Sequence, residues 1–357
     1  MDFAIAMATA SDSWKLVQRA EELGFKRAWF YDTQMLSADC FVAMGAAAVK
    51  TERIRLGTGV LIPTNRIAPV AANAFASLNH LAPGRIDFGV GTGFTGRRAM
   101  GLGAMKLADM EDYIRVVYGL LADEIVETSF EGKKRKIKFL NADAGLINVT
   151  DPVGLYVSAY GPRSRALTAK LNAGWLNFIG DVDYGTSTLQ AMQQSWADAG
   201  HGTGELTATA FALGCVLGDG EPFNSERAMA QAGPRAAVIL HRAADEAIAG
   251  LPNSSGIPPA AAEAIQKYVD VAVNTFEPSD AKYLMNHRGH LMFVKPEERE
   301  FVTAELIRDT SFTATEAVLK DRIGALRDAG YSEFTIQITP GQEDAIEDWA
   351  RIMRAFD

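Results

Sequence analysis

The chain has 357 residues, 48% of them hydrophobic, which is enough for one large barrel or two ordinary domains with a substantial core. Its formal net charge of −9 argues against nucleic acid and anionic membranes as main partners. The two cysteines, Cys40 and Cys215, lie in apolar runs without metal-ligand spacing, which is typical of a reducing compartment. Neither an export signal nor an apolar run of about 20 residues is visible, so we expect a soluble, cytoplasmic protein.

Strands and helices alternate through roughly the first 90 residues. The first predicted strand is fully apolar, as in a parallel sheet that is buried on both faces. The predicted strands occupy residues 3–8, 27–32, 53–60 and 86–90, and the predicted helices occupy residues 14–23, 41–50 and 69–81. This regular alternation favours a (β/α) barrel over an open sheet.

The alternation breaks after Gly96 and then resumes, with insertions at about 94–150 and, between strands seven and eight, at 218–312. The insertions contain, in order, a predicted helix at 107–121, a hairpin at 125–140, helical stretches at 227–249 and 260–275, and a loop at 251–259. The remaining strands are predicted at 155–160, 175–179, 208–216 and 333–339, and the remaining helices at 165–172, 186–199, 314–328 and 343–356. Eight strands predict an α/β fold, a (β/α)8 TIM-type barrel that forms a single domain over residues 1–357.

A GxGxxG motif at 91–96 follows the fourth strand. The dinucleotide-binding fingerprint belongs on the first strand, with an acid at the end of the next strand about 20 residues on. The acids at that distance, Glu111 and Asp112, lie inside a predicted helix. The motif therefore does not indicate a Rossmann domain.

Strand three ends in small residues at the rim where parallel α/β proteins bind ligands. A flat ring could lie against the backbone at Thr58, Gly59 and Val60, and the alternative is a bulge that barrel curvature requires. Thr92 and Gly93, after strand four, offer a hydroxyl and an N–H opposite. We interpret these positions as candidate cofactor contacts.

The segment Gly161-Pro162-Arg163-Ser164 opens the helix after strand five. Free N–H groups at a helix N-terminus, a serine hydroxyl and an arginine form a suitable phosphate site. The alternative is an ordinary strand–helix turn that Ser164 caps. The position in the barrel favours the phosphate interpretation.

Five polar residues are candidate substrate-side groups. Asp32, Thr33 and Gln34 end strand two at the same rim, although a solvated loop acid is an alternative. His287 and His290 lie in the long insertion with H-x-x-H spacing, but no third ligand is placed near them. We therefore predict no metal site and interpret both histidines as substrate-side groups on a lid.

Three segments together resemble the bacterial luciferase-like flavin and deazaflavin oxidoreductases. They are AEELGFKRAWFYD at 20–32, TERIRLGTGVLIPTNRIAPVAANAFASLNHLAPGRIDFGVGTG at 51–93 and SAYGPRSRALTAKLNAGWLNF at 158–178. The resemblance implies a TIM-type barrel, an FMN or coenzyme F420 site at its carboxyl-end rim, and a homodimer. It also implies an unusual peptide geometry near Gly59 and Val60.

Position by position, the resemblance has matches and departures. Thr92 stands where bacterial luciferase has an arginine for the phosphate. The residues that fall on the phosphate-gripping loop are Tyr160, Gly161, Arg163 and Ser164. Thr33 stands where the family often has a histidine, and Gly91 falls at the position of the luciferase reactive cysteine, so aldehyde chemistry is not expected.

We therefore expect a two-component monooxygenase, in which a separate flavin reductase supplies reduced FMN. The barrel would bind the flavin, react it with O2 and oxygenate a small organic substrate, with the insertion at 218–312 as lid. The alternative is an F420-dependent hydride-transfer enzyme related to methylenetetrahydromethanopterin reductase, because the same barrel serves both. A third possibility is a non-catalytic flavin-binding barrel.

Overall fold

Eight parallel strands close into a barrel in a computed structural model, which describes residues 1–251 and 259–356. The strands are β1 (Asp2–Met7), β2 (Arg27–Phe30), β3 (Arg55–Thr58), β4 (Ile86–Val90), β5 (Gly154–Ser158), β6 (Gly174–Phe178), β7 (Ala208–Ala212) and β8 (Glu333–Gln337). Each strand pairs with the next along the chain, and β8 pairs with β1 to close the barrel. The predicted TIM-type barrel is confirmed.

Helices cover the outside of the barrel and build both insertions. In chain order they are α1 (Trp14–Leu23), α2 (Cys40–Ala48), α3 (Ala68–Leu81), α4 (Phe94–Arg98), α5 (Leu107–Leu121), α6 (Pro162–Lys170), α7 (Val182–Asp198), α8 (Glu226–Gln231), α9 (Gly233–Ile248), α10 (Ala262–Thr275), α11 (Tyr283–Asn286), α12 (Ala304–Thr310), α13 (Glu316–Ala329) and α14 (Ala345–Met353). Within the described ranges, no helix is both long enough and apolar enough to span a bilayer.

The main departure from the predicted elements lies after β7. The strand predicted at 208–216 ends at Ala212, and Val216–Leu217 pairs instead with Ala314–Thr315 outside the barrel. A Cβ at Gly214 would lie 1.9 Å from the Phe312 carbonyl oxygen, so the chain crosses here at a distance that only glycine permits. The predicted hairpin is present, as Val126–Phe130 paired with Lys133–Ile137. The loop predicted at 251–259 lies outside the described residues except at its two ends.

Trp29 fills the centre of the barrel and explains the glycines of β3 and β4. A Cβ at Gly57 would lie 2.6 Å from the Trp29 ring, and one at Gly89 would lie 2.1 Å from the Thr58 carbonyl oxygen. These two glycines therefore make room for the indole and for a close backbone approach, rather than for a ligand. The peptide bond between Gly59 and its successor is cis, as the resemblance implied.

Buried charges lie beside Trp29 at the amino-terminal end of the barrel. Arg27 donates to Asp87 at 2.8 Å and forms a second ion pair with Glu333. Asp87 also accepts from Arg55 at 2.6 Å, and Trp29 Nε1 donates to Glu333 at 3.1 Å. Burial raises the pKa of the Glu333 carboxyl, and the neighbouring Arg27 acts in the opposite direction.

The long insertion forms its own apolar cluster over the carboxyl ends of the strands. Its core joins α8, α9, α10 and α12 through buried residues such as Leu240, Tyr268 and Leu306. The insertion is tied to α4, the short helix that follows β4, by an ion pair between Arg98 and Asp245 at 2.8 Å. It therefore covers the rim at which the sequence predicted a ligand site.

Gly89→Ala should reduce the free energy of unfolding by about 3 kcal/mol or more, at the upper end of overpacking costs, because backbone cannot yield to the new methyl group. Urea unfolding followed by tryptophan fluorescence measures the effect. Gly324→Ala is the matched control, because it lies inside α13 and a Cβ there meets no atom within 4 Å. It should be neutral or stabilising by about 0.5–1 kcal/mol. Equal effects of the two substitutions would contradict this account of β4.

Candidate active site

A cavity of about 770 Å³ lies between the barrel mouth and the long insertion. This volume is in the range of small-molecule and cofactor sites. Its barrel-side lining includes Tyr31, Asp32, Thr33, Gly59, Val60, Thr92, Gly93, Thr95, Ser158, Tyr160, Leu176, Phe178 and Phe211. Its insertion-side lining includes Arg235, Val238, Ile239, Arg242, His290, Leu291, Met292 and Asp309.

Tyr31 connects the cavity to both halves of the protein. Its hydroxyl donates to Gln337 Oε1 at 2.9 Å, and the Gln337 amide donates to the Leu291 carbonyl of the insertion. Burial raises the pKa of Tyr31 far above its ordinary value, so the phenol stays protonated. The side chain therefore acts as a fixed hydrogen-bond donor and an apolar surface.

Asp32 borders the cavity, but its carboxylate is occupied. Oδ2 accepts from the Ile62 N–H at 3.0 Å and from Asn65 at 3.1 Å. Oδ1 accepts from Arg66 at 2.8 Å, and the Cys40 thiol lies 3.7 Å from the same oxygen. The side chain is 2% exposed, so its contacts hold the loop after β3 rather than face a ligand.

Of the other candidates at the ends of β2 and β3, Thr33 lines the cavity, whereas Gln34 and Thr58 form hydrogen bonds that support the surrounding structure. The Thr33 hydroxyl lines the cavity and lies 2.7 Å from Ser37 Oγ. Gln34 is not among the lining residues that the structure describes, and its Oε1 accepts from Asn65 at 2.7 Å. Thr58 is fully buried and donates to the Gly89 carbonyl at 2.7 Å, so it braces β3 against β4.

Gly93 and Thr92 lie at the rim as expected. Gly93 has a φ of 82°, and a Cβ there would lie 2.8 Å from Ile62 Cγ2. Both residues line the cavity, together with Thr95 from the first turn of α4. Their predicted role as cofactor contacts stays a prediction.

The loop at the start of α6 brings only part of the predicted phosphate site to the cavity. Tyr160 lines it, whereas Arg163 lines a separate groove between α5 and α6. The Ser164 hydroxyl accepts from the Gly161 N–H at 3.1 Å and donates to the Gly161 carbonyl at 2.9 Å. Gly161 and Pro162 are exposed, and a Cβ at Gly161 meets no atom within 4 Å.

Three buried histidines gather beside the cavity, one more than the sequence indicated. His241 on α9 lies with its Nδ1 2.9 Å from Nδ1 of His290, and His287 completes the group. Each ring places a nitrogen within 4.8 Å of the other two. Burial lowers the pKa of His241 and lowers that of His290 well below its ordinary value, which favours the neutral form of both rings. No local motif links His241 to the H-x-x-H pair.

Arg235 is a second residue that sequence reasoning missed. It lies on α9, lines the cavity and packs its guanidinium 5.2 Å from the Phe178 ring centroid. Its Nε is buried without a hydrogen-bond partner, and it forms no ion pair within residues 1–251 and 259–356. Only the tertiary structure separates it from the other arginines of the chain.

Comparisons with known proteins agree on the family and fold. Residues 5–333 match the model of a family described as luciferase-like monooxygenase. The chain is 39% identical over 140 residues to the F420-dependent glucose-6-phosphate dehydrogenase of Beutenbergia cavernae, which covers 37% of this chain and 40% of that protein. It is 31% identical over 159 residues to the 5,10-methylenetetrahydromethanopterin reductase of Methanolobus tindarius, which covers 44% of this chain and 47% of that protein.

The solved structure of the coenzyme F420-dependent tetrahydromethanopterin reductase from Methanopyrus kandleri superposes with a TM-score of 0.72. It covers 100% of this chain and 99% of that chain at 18% identity, so the likeness shows the fold alone. The chain spans 40% to 60% of the length of the curated relatives it matches.

The expected FMN-dependent two-component monooxygenase is wrong. Curated relatives are named F420-dependent dehydrogenases, and another is named a methylenetetrahydromethanopterin reductase. These relatives are oxidoreductases of the kind that the alternative interpretation described. The error arose because one barrel serves both chemistries.

Asp32→Asn should lower the free energy of unfolding by about 2–3 kcal/mol, because the amide cannot accept from all the donors that converge on the carboxylate. Asp12→Asn is the control, since its ion pair with Lys15 is exposed and contributes at most about 1 kcal/mol. Urea unfolding of both variants measures the difference. A stable Asp32→Asn protein that had lost activity would instead make Asp32 catalytic.

Proposed function

This chain belongs to the luciferase-like monooxygenase family, and we propose that it is a coenzyme F420-dependent oxidoreductase that exchanges a hydride with a small organic substrate. The observation that carries the proposal is the cavity of about 770 Å³ at the carboxyl-end rim of the barrel. The names of its curated relatives support F420 as the cofactor. A homodimer remains a prediction.

The residues at the rim fit a flat deazaflavin with a phosphate. The ring would be held by Gly59, Val60 and Leu176, which give an apolar surface of little bulk. The phosphate would be held at the start of α6, where Gly161 is open to solvent. Arg165 supports this fit, because its Nε is buried without a partner while its Nη1 donates to the Tyr160 carbonyl at 2.5 Å.

The cofactor supplies the hydride chemistry when bound, and the protein supplies binding, orientation and exclusion of water. Burying apolar side chains such as Phe211 and Leu176 in the cavity wall lowers the local dielectric around the reacting groups. The insertion covers the mouth and so limits the access of bulk water. These features suit hydride transfer, because excluding water prevents side reactions of the reacting groups with solvent.

Arg235 gives the cavity a preference for an anionic group. A guanidinium that lines a cavity without a carboxylate partner can bind a carboxylate or phosphate through two parallel hydrogen bonds. Elsewhere the cavity wall includes apolar residues such as Val60 and Leu176. We therefore propose a small substrate with one anionic end and an apolar or hydroxyl-bearing body.

Gly161→Asp should reduce F420 affinity at least about 10-fold, because hydrogen bonds and charge at a phosphate contribute roughly 1.5–3 kcal/mol. Gly161 occupies the N-cap of α6, where aspartate and asparagine both favour folding. Fluorescence titration with F420 measures the change, and Gly161→Asn is the neutral control of nearly the same size.

Wild-type protein should bind F420 saturably and form no long-lived oxygen adduct with reduced FMN. Binding of reduced FMN alone, followed by O2 consumption, would contradict the proposed function. Equal F420 affinities of the aspartate and asparagine variants would instead contradict only the placement of the phosphate.

A further inference from the structure

A chain of hydrogen bonds runs from the buried carboxylate of Glu298 through His241 to His290 at the cavity, and the carboxylate determines which nitrogen of His241 carries a proton. Glu298 is fully buried, and its Oε1 forms an ion pair with Lys295 Nζ at 2.7 Å and accepts from the Tyr268 hydroxyl at 2.9 Å. The same oxygen lies 2.6 Å from His241 Nε2. An ionised carboxylate can only accept, so His241 Nε2 carries the proton of that bond.

The tautomer of His290 follows from the same logic. A neutral imidazole has one donor nitrogen, so His241 Nδ1 is left as an acceptor. His290 Nδ1 lies 2.9 Å from it and must therefore donate. His290 Nε2 then carries a lone pair, 3.4 Å from the Thr95 hydroxyl, on a residue that lines the cavity.

We propose that His290 is the catalytic residue that takes the hydroxyl proton of the substrate, and that His241 and Glu298 are positioning residues that set its tautomer. The proposal rests on the proposed function, because it supplies the proton acceptor that hydride transfer from an alcohol requires. His290 comes from the long insertion, not from a barrel strand.

The step balances as an alcohol oxidation. The substrate O–H bond breaks and its proton goes to His290 Nε2, while the C–H bond breaks and its hydrogen leaves with the bonding electron pair as a hydride, which a bound oxidised deazaflavin would accept. The C–O bond becomes a carbonyl. The proton on His290 Nδ1 can then pass to His241 Nδ1, which places the positive charge beside the Glu298 carboxylate.

The carboxylates that line the cavity are less suitable acceptors. Asp32 is held by the donors described above. Asp181 caps α7 by accepting from the Tyr184 N–H at 2.7 Å, and Asp309 pairs with Arg308 at 2.7 Å. Among the described lining residues, His290 is the one histidine, and its Nε2 lone pair has only the long 3.4 Å contact with the Thr95 hydroxyl.

A metal ion is the competing explanation of the three histidines. Two ligands of a tetrahedral zinc with bonds of about 2.0–2.1 Å lie about 3.3 Å apart, which is longer than the 2.9 Å between His241 and His290. Lys295 already balances Glu298, and Arg98 balances Asp245 at 2.8 Å. No negative charge of the cluster remains to offset a buried dication.

The tautomer is measured directly by long-range 1H–15N NMR of the full chain, which has 5 histidines. His290→Gln identifies its own signals. We expect a protonated Nδ1 and an unprotonated Nε2 at His290, unchanged by zinc chloride. A protonated Nε2 overturns the proposal, and so does a stoichiometric zinc complex that shifts all three buried histidines.

The catalytic role is measured by F420 reduction with a panel of secondary alcohols, 2-hydroxy acids and sugar phosphates. His290→Gln should keep F420 affinity and lose at least about 100-fold in kcat, the lower end of general-base effects. His80→Gln, on the exposed end of α3, is the control and should match wild type. Retained kcat in His290→Gln, or no reduction by wild type with any alcohol, overturns the proposal. If the wild-type protein does not bind F420, the proposed function is wrong, whereas the tautomer measured by NMR is unaffected.

Glu298→Gln separates a positioning role from a structural one. Removing the carboxylate destabilises the protonated histidine pair, so the acid limb of kcat/KM should move to lower pH. The groups that face His290 are His241, His287, Arg98 and Arg235, and those that face His241 include Lys295. An unchanged pH profile would overturn the positioning role of Glu298. If this variant does not fold, the NMR measurement on the wild-type protein tests the proposal instead.

Discussion

Ion pairing at the amino-terminal end of the barrel is the constraint from which the rest of the site follows. Arg27 joins β2 to β4 and β8 through Asp87 and Glu333, and all three side chains are nearly or fully buried. Removing one partner of such a group leaves a buried charge uncompensated, which costs about 3–5 kcal/mol. Trp29 lies directly on this layer and donates to Glu333. The barrel interior is thereby filled at this end, and the cavity lies at the opposite rim.

That arrangement explains why the cavity needs the insertion. A filled barrel offers a ligand a floor of Tyr31, Leu176 and Phe211 but no roof. The insertion supplies the roof and is fixed to the floor through Gln337, which links the Tyr31 hydroxyl to the Leu291 carbonyl. Because Tyr31 and Gln337 lie on or beside barrel strands, the position of the roof is set by the barrel itself.

The barrel could be predicted from the sequence because its signals are local. Helices at Trp14–Leu23 and Leu107–Leu121 and the strand at Ile86–Val90 fall where apolar spacing and turn residues place them. The site was harder, because its contacts join distant residues. Asp32 was a candidate acid in the sequence, but in the structure its carboxylate accepts hydrogen bonds from Arg66 and from the loop after β3. The choice of F420 over FMN depends on details that one barrel shares between both chemistries.

The insertion shows why the remaining site residues escaped prediction. His241 and Glu298 are separated by 57 positions in the chain, yet they meet at 2.6 Å. Their pairing joins α9 to the 3-10 turn at Pro296–Glu298, and no spacing rule encodes it. Arg98 of α4 binds Asp245 of α9, so the short helix that follows β4 also positions the helix that carries His241. The packing of the insertion against the rest of the protein therefore also determines where the His290 imidazole lies in the cavity. Chemistry at this rim can change through the insertion while the barrel beneath it stays the same.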